Sequence, residues 1–244
     1  GLVMHDPVLP QAVIAEQDFG LPDHVIYLKP LAAGDLQLAV DRVAERIGES
    51  EDYPWTAEII RLLGRSRREE HLQLVRKQAG NFGVQGAVLS VLAGQPRPVD
   101  RALFMRGLES ADLGLVGTSL SALTALPAAK DPQELVRLVY NLRRLDHNEA
   151  AWRLREEVVR LLRRNTGRQF GFVVGKEGYK PQQEVIQAWT DFISTAYPRQ
   201  YQAIQGDREV DLVAWKKRLE AVNWNSGDAE AGEKLVMVEA VGQV

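Results

Sequence analysis

Short helical segments, each ended by glycine, proline or a polar turn, fill most of this sequence and restrict what it can fold into. Apolar residues recur at three- and four-residue steps, as at Leu72, Val75 and Ala79, which is the spacing of one buried helix face. The same spacing returns over residues 99–109 and 113–126. The pattern predicts an all-α protein.

Residues that favour helix caps mark the first boundaries. A helix over 54–64 is expected to begin at Pro54 and end at Gly64, because proline suits the first turn and glycine suits the position after the last. Ser66, with Glu69 three residues later, has the spacing of a capping box. That spacing predicts the start of the next helix.

Later boundaries follow the same rules. A helix over 87–93 is expected to end in the glycine- and proline-containing residues 94–98. Asp131 and Pro132 predict the start of another helix, and a long helix is expected to stop at residues 165–167.

These helices form pairs that recur at a regular interval. Leu108 and Leu142 occupy similar places in successive hairpins, and so do Asp112 and Asp146, with an offset of 34 residues in both cases. One helix–turn–helix every 35–45 residues or so is typical of an α-solenoid. The predicted fold class is therefore all-α, a HEAT-like α-solenoid of antiparallel helix hairpins over residues 1–222. A non-repetitive helical bundle is the alternative.

Two segments depart from this regular pattern. Four prolines punctuate residues 1–35, which are expected to form an irregular helical start. Residues 167–180 hold four glycines among aromatic and branched side chains, and they are expected to be an irregular loop or a short extended segment. Helices are then predicted from Pro181 onward, in the residues up to 206, and over 209–222.

Charge and cysteine content exclude several kinds of chemistry. The 244 residues carry a formal net charge of −3, so bulk charge gives no reason to expect nucleic acid or an anionic membrane as a partner. No apolar run approaches the roughly 18 residues of a transmembrane helix, which predicts no membrane insertion. The absence of cysteine excludes disulfides, thiolate metal sites and haem attached through thioethers within this chain.

Residue types that carry catalysis or bind metals do not group in this sequence. The four histidines, His5, His24, His71 and His147, lack a second ligand at metal-binding spacing, and each is expected to be solvated or to cap a helix. The glycine-rich residues 80–86 join two predicted helices without a preceding strand, so they are interpreted as a linker and not as a dinucleotide-binding loop. The sequence predicts no catalytic residue, no metal site and no cofactor in this chain.

Two further features are assigned to packing. Gly117 lies within a predicted helix and is expected where two backbones approach closely. Tryptophans stand at helical positions beside other apolar residues, and burial in the core is expected for each of them: Trp55, Trp152, Trp189, Trp215 and Trp224.

An arginine-rich stretch is the strongest candidate for a binding surface. From Arg137 to Arg168 there are nine arginines against four acidic residues, a local excess of five. A stripe of arginines on one helix face is what phosphate binding requires. The candidates for binding an anionic partner are Arg143, Arg144, Arg153, Arg160, Arg163 and Arg164. The alternative is a solvated or inter-repeat face in which Glu156 and Glu157 pair with neighbouring arginines.

The C-terminal residues resemble the start of a known domain. Residues 209–235 read EVDLVAWKKRLEAVNWNSGDAEAGEKL, and the Gly-Asp-Ala-x-x-Gly stretch at 227–232 is similar to the opening of a class I cytochrome c domain. With the helical repeats, this resembles the C-terminal half of large exported dehydrogenase-like proteins of planctomycete-type bacteria, which join a β-propeller, a HEAT-like region and a haem c domain. The chain departs from that pattern after Leu235, where VMVEAVGQV follows without CxxCH.

The resemblance implies a scaffold role. Residues 223–244 would be the remnant or start of a cytochrome c-like segment, and the chain would belong to a periplasmic or exported redox protein. Its start at Gly1 without a signal-peptide pattern also indicates a fragment or a processed chain. The predicted function is a non-catalytic helical-repeat scaffold or protein-interaction module. Its partners would be proteins or neighbouring domains of a larger chain.

Two other functions stay open at the level of sequence. The first is a DNA-binding or DNA-repair protein that uses the arginine-rich helix 149–168, since HEAT-like alkylpurine DNA glycosylases also use a concave helical surface. The second is an enzyme on an all-α scaffold, which requires a convergent acid–base pair that no motif in the sequence identifies.

Overall fold

The structure, a computed structural model, describes residues 8–16, 18–25, 31, 33–146, 148–175, 180 and 182–206, with the side chains of residues 8–10, 205 and 206 left aside. Within these residues every regular element is helical and no strand occurs, so the predicted all-α class is confirmed. The α-helices are α1 Val8–Ala15, α2 Pro22–Val25, α3 Ala33–Gly48, α4 Ala57–Arg65, α5 Glu69–Lys77, α6 Gln85–Ala93, α7 Arg101–Gly107, α8 Leu113–Ala125, α9 Pro132–Asp146, α10 Trp152–Thr166, α11 Gln183–Ala196 and α12 Pro198–Gly206.

The chain forms two compact units, residues 1–103 and 104–244, each with its own core. In the first unit α4 packs against α2, α3, α5 and α6. Ile59, Ile60 and Leu63 of α4 are fully buried, because their three- and four-residue spacing places them on the face that these neighbours cover.

Helices α4 and α6 approach very closely at Gly64. A Cβ atom added at this position would lie 2.4 Å from Cγ1 of Val91, so a larger residue here would force the two helices apart. Gly64 therefore lies inside α4, and the prediction that it ends the helix is wrong. The predicted start at Pro54 is also wrong, since the side chain of Thr56 caps α4 by accepting a hydrogen bond from the Ile59 backbone at 3.4 Å.

The turn after α4 differs from the predicted capping box. Ser66 closes α4, with its backbone N–H donating to the Leu63 carbonyl at 3.3 Å, and α5 begins only at Glu69 after Arg68. Between them Arg67 adopts a φ of 57°, a left-handed conformation that is unfavourable for a residue with a Cβ. The tight reversal at Arg67 places Ser66 at the end of one helix and not at the start of the next.

A buried ion pair ties α5 to the start of α7. The Arg76 guanidinium donates to both carboxylate oxygens of Asp100, at 2.6 and 3.2 Å, and to Glu69 at 2.7 Å. Asp100 is fully buried, and its hydrogen bond to Arg76 raises the pKa of that guanidinium above its usual value. The Arg76 guanidinium is therefore charged over the whole range of physiological pH.

In the second unit α9 is central and packs against α10, α11 and α12, while α10 also packs against α8. The Asp112 carboxylate caps α8 by accepting a hydrogen bond from the Gly114 backbone at 2.7 Å. Asp131 does the same for α9 through Gln133 at 3.2 Å. Gly167 ends α10 with a φ of 72°. The boundaries at Asp131 and Gly167 confirm the predicted ones, and Asp112 is a cap that was not predicted from the sequence.

Arginine side chains join helices that are two apart in the chain. Arg164, near the C-terminal end of α10, donates to the carbonyls of Leu123 and Thr124 at the same end of α8, at 3.0 and 2.6 Å. Arg144, near the end of α9, donates to the carbonyls of Leu108 and Ser110 just after α7, at 2.6 and 2.8 Å. Like ends of α8 and α10, and of α7 and α9, are therefore adjacent.

Asp112 and Asp146, which lie 34 residues apart in successive predicted hairpins, have different roles. Asp112 is an exposed helix cap, whereas Asp146 is buried at the end of α9. The Asp146 carboxylate accepts a hydrogen bond from the fully buried Arg155 at 2.7 Å and one from the Gln182 backbone at 3.1 Å. Asn148, and not Asp146, caps the next turn through the Ala150 backbone. The two aspartates therefore share a sequence interval but not a structural role.

Helices α8 and α10 also meet at Gly117. A Cβ atom there would lie 3.3 Å from Cδ2 of Leu154. The close neighbour is a side chain, so the prediction that two backbones approach at Gly117 is wrong in that detail.

Residues 167–174 run without regular structure, which confirms the prediction of an irregular segment for this part of 167–180. The Gln182 side chain accepts from the Val173 backbone N–H at 2.8 Å and donates to its carbonyl at 2.9 Å. Phe170 packs edge-on against Trp189 at 4.7 Å between ring centroids. Trp189 is fully buried, which confirms its assignment to the core.

Other predictions are confirmed less fully or lie outside the described residues. Trp55 and Trp152 are only partly buried. Short helices occur in the first 35 residues, as expected. The predicted helix over 209–222, the segment 223–244, Trp215, Trp224 and Pro181 all lie outside the described residues.

A distance measurement can test whether the C-terminal ends of α8 and α10 are adjacent. The chain has no cysteine, so spin labels attach only where a cysteine is introduced. We expect labels at Ala125→Cys and Gln169→Cys to be closer than labels at Ala111→Cys and Gln169→Cys by roughly 10–20 Å, since a helix of the length of α8 spans about 20 Å. Pulsed electron spin resonance measures both distances. Equal distances, or the reverse order, would contradict the arrangement of α8 and α10.

Candidate functional site

The six arginines that the sequence selects as candidates lie in α9 and α10. Two of them, Arg144 and Arg164, direct their guanidinium groups at the helix-end carbonyls described above. A charged donor bound to two carbonyls replaces hydrogen bonds that the end of a helix otherwise makes to water. Both side chains thus hold neighbouring helices together.

Two more candidates contact the segments that follow α10. Arg143 donates to the Tyr201 hydroxyl of α12 at 3.2 Å, and Arg163 donates to the Phe172 carbonyl at 3.4 Å. Arg163 is half-buried, whereas Arg143 is exposed. These contacts connect α9 and α10 with the C-terminal part of the described chain.

The remaining two candidates, Arg153 and Arg160, lie exposed on α10, and neither donates a hydrogen bond to another helix among the residues that the structure describes. Arg160 pairs with Glu156 at 3.1 Å, as the sequence predicts for residues four apart. Arg153 instead lies over the ring of Trp152, with 5.0 Å between the guanidinium carbon and the ring centroid. The expected arginine stripe is therefore reduced to Arg153 and Arg160, because Arg164 on the same face turns to α8.

A second basic cluster, which the sequence interpretation missed, lies in the first unit. Arg61, Arg65 and Arg67 line a cavity of about 460 Å³ beside α6. The signal was present in the string RLLGRSRR at 61–68. The helix boundaries predicted at Gly64 and Ser66 assign these arginines to two separate elements, so the sequence does not group them.

The same turn contains a buried histidine. His71 is 4% exposed, so the expectation that it is solvated or caps a helix is wrong. Its Nδ1 atom is 2.7 Å from the Ser66 hydroxyl oxygen, and its Nε2 atom is 3.6 Å from the Asp41 carboxylate. The second distance is too long for a hydrogen bond.

Burial determines the charge of this imidazole. Desolvation lowers the pKa of His71 below its usual value, and the carboxylates of Asp41 and Glu70 oppose that shift only in part. The neutral ring and the Ser66 hydroxyl therefore satisfy each other. The Ser66 hydroxyl donates to the Leu63 carbonyl at 3.0 Å, and a neutral ring with its proton on Nδ1 donates to the same hydroxyl oxygen. This arrangement braces the turn between α4 and α5.

Of the other histidines, His24 is partly buried and stacks on Phe19 with 5.9 Å between ring centroids. His5 and His147 lie outside the described residues. Across the part of the chain that the structure describes, no three histidine, aspartate or glutamate side chains form a group that could hold a metal ion. None of the described helices is both long enough and apolar enough to cross a membrane.

No protein-family model matches this chain, and neither a curated protein nor a solved structure is significantly similar to it. Its function is therefore inferred from its own residues.

The contact between the His71 ring and the Ser66 hydroxyl makes the stability of the protein depend on pH. His71 binds a proton more readily in the unfolded chain than in the folded one, because folding lowers the pKa of this histidine. We therefore expect the free energy of unfolding to fall as pH decreases through about 6.5, the usual pKa of histidine. This component of the pH dependence should be absent from His71→Gln, which is also expected to cost about 1–3 kcal/mol at pH 8.

Urea unfolding at pH 8 and pH 5 measures the effect. His24→Gln is the matched control, since it removes a histidine and leaves the Ser66–His71 contact intact. An identical pH dependence in wild type and His71→Gln would show that His71 does not carry it.

Proposed function

We propose that the chain is a non-catalytic, HEAT-like helical-repeat module that holds a protein partner or neighbouring domains of a larger chain. The observation that carries this proposal is the pairing of like helix ends by Arg144 and Arg164. In an α-solenoid the first helices of successive hairpins lie side by side, and so do the second helices. Contacts between α7 and α9, and between α8 and α10, have that pattern.

The use of buried polar groups also favours a scaffold. Arg155 pairs with Asp146, and the Asn165 amide donates to the Glu134 carboxylate at 3.0 Å. All four residues are buried, and each contact joins α10 to α9. Breaking a buried pair typically costs about 3–5 kcal/mol because one charge is left without a partner. These groups thus fix the relative positions of the helices.

We further propose that this module comes from an exported redox protein with a haem c domain and a periplasmic location. Support comes from residues 209–235, with the Gly-Asp-Ala-x-x-Gly stretch. In that arrangement the haem and the substrate site belong to other parts of the larger protein. The helical module would set the distance between them.

The natural protein can be isolated with an antibody against this chain, and its intact mass and visible spectrum can be recorded. We expect a mass well above 27.3 kDa and the Soret band of haem c, because the module would be joined to the domains it holds. A mass near 27.3 kDa without visible absorption would contradict the redox parent and indicate a free-standing helical protein.

DNA binding is the second candidate function, favoured by the exposed Arg153 and Arg160 beside Trp152. Guanidinium groups and an aromatic ring on one helix are features of nucleic-acid surfaces. Against it, Arg160 is paired with Glu156 and the net charge of the chain is negative. Only part of the predicted arginine stripe is therefore directed at solvent.

We expect no retention of the protein on duplex DNA at about 50 mM salt, since phosphate binding needs several cations that act together. Retention that falls with salt, and that Arg153→Gln with Arg160→Gln abolishes, would establish the DNA-binding function instead. Arg106→Gln, at an exposed position of α7, is the control for a simple loss of charge.

A further inference from the structure

The cavity beside α4 and α6 combines positive charge with apolar walls. Its volume of about 460 Å³ falls in the range of roughly 300–1,000 Å³ that small-molecule sites occupy. Arg61, Arg65 and Arg67 contribute the charge, and Ser90 and Gln95 contribute polar groups. No carboxylate is found among the described residues that line it.

The helix geometry explains why these arginines converge. Arg61 and Arg65 are four residues apart on α4, so they lie on one face of that helix. Arg67 joins them because the chain reverses at its own left-handed backbone, with a φ of 57°. Three like charges at one cavity repel each other.

The arginines are not neutralised equally within the chain. Arg61 pairs with Glu58 at 3.1 Å, but both side chains are largely exposed, so solvent screens that pair. Arg67 is exposed and has no hydrogen-bond or ion-pair partner among the described residues. Arg65 also interacts within the chain, so an anion in the cavity would above all supply a partner for Arg67.

The rest of the lining determines what kind of anion fits. Leu36, Leu72 and Val91 form its apolar walls. A bare inorganic ion would leave those walls unoccupied. A planar guanidinium can donate hydrogen bonds to two phosphate oxygens at once. Several guanidinium groups together suit an anionic group whose charge is near −2.

We propose that this cavity binds a small organic phosphate monoester, with the phosphate at Arg61, Arg65 and Arg67 and the apolar body against Leu36 and Val91. The strained backbone of Arg67 is then retained because it places a guanidinium at the ligand. This role goes beyond the proposed scaffold function and is independent of it.

Phenyl phosphate is the probe, because it joins a phosphate to an apolar ring and carries about two negative charges at pH 8. We expect saturable binding by titration calorimetry, with inorganic phosphate binding at least about tenfold more weakly and phenol not binding. Equal affinity for phenyl phosphate and inorganic phosphate would overturn the role of the apolar walls. Absence of binding at about 10 mM would overturn the proposal as a whole.

Arg67→Gly is the most informative variant. Glycine adopts a φ of 57° without strain, so we expect its melting temperature to be equal to or above that of wild type while phenyl phosphate binds about tenfold more weakly. Unchanged affinity would show that Arg67 does not contact the ligand and would contradict the proposed site.

Two further variants separate charge from space. Ser90→Phe changes an exposed position on α6 and fills the cavity without altering charge, and it should abolish binding. Arg153→Gln removes one positive charge from the other unit and should leave affinity within about twofold of wild type. Equal weakening by Arg153→Gln and Arg67→Gly would show only general attraction of anions and would contradict the site.

Discussion

Helix ends need hydrogen-bond partners for their last carbonyl groups, and in this protein arginine side chains supply those partners at the ends of α1, α7 and α8. An α-helix leaves four such carbonyls without donors. Arg42 of α3 donates to the carbonyls of Ile14 and Glu16 at the end of α1, in the same way that Arg144 and Arg164 act in the second unit. Each of these residues lies two helices further along the chain than the end it binds.

These contacts between arginine side chains and helix-end carbonyls determine more than local hydrogen bonding. Apolar burial drives the helices together, but it is non-directional and does not by itself decide which ends are adjacent. A guanidinium bound to two carbonyls does decide it, since both donors must reach the same helix terminus. The buried Arg155–Asp146 pair adds a further constraint, because Asp146 also receives the backbone N–H of Gln182 just before α11.

The sequence predicted helices well wherever local chemistry alone sets the boundary. Asp131 and Gly167 act within one turn of their own helix, so the local sequence is sufficient to predict their role. The boundaries at Gly64 and Ser66 were wrong because distant contacts override local preference there. Val91 requires a glycine inside α4, and His71 holds Ser66 at its end. Neither contact can be inferred from the neighbouring residues.

The candidate sites show the same limit. Arginines were correctly recognised as the unusual feature, but their roles depend on which neighbour lies within reach, and that depends on the packing of helices. Arg160 could be assigned from its spacing to Glu156, whereas the contacts of Arg144 and Arg164 span 34–41 residues of sequence. The basic cavity required the left-handed turn at Arg67, which no residue preference indicates.

The carbonyl-binding arginines also bear on the composition of the chain, which holds 22 arginines and only 8 lysines. Between residues 101 and 168 the disparity grows to eleven arginines and one lysine. An ammonium group is a single compact charge, whereas a guanidinium presents donors in a fixed fork that can bridge successive carbonyls. Exchange of arginine for lysine at positions 144 and 164 would keep the charge and lose the bridge. The excess of arginine over lysine in this chain is thus explained in part by the contacts that join its helices.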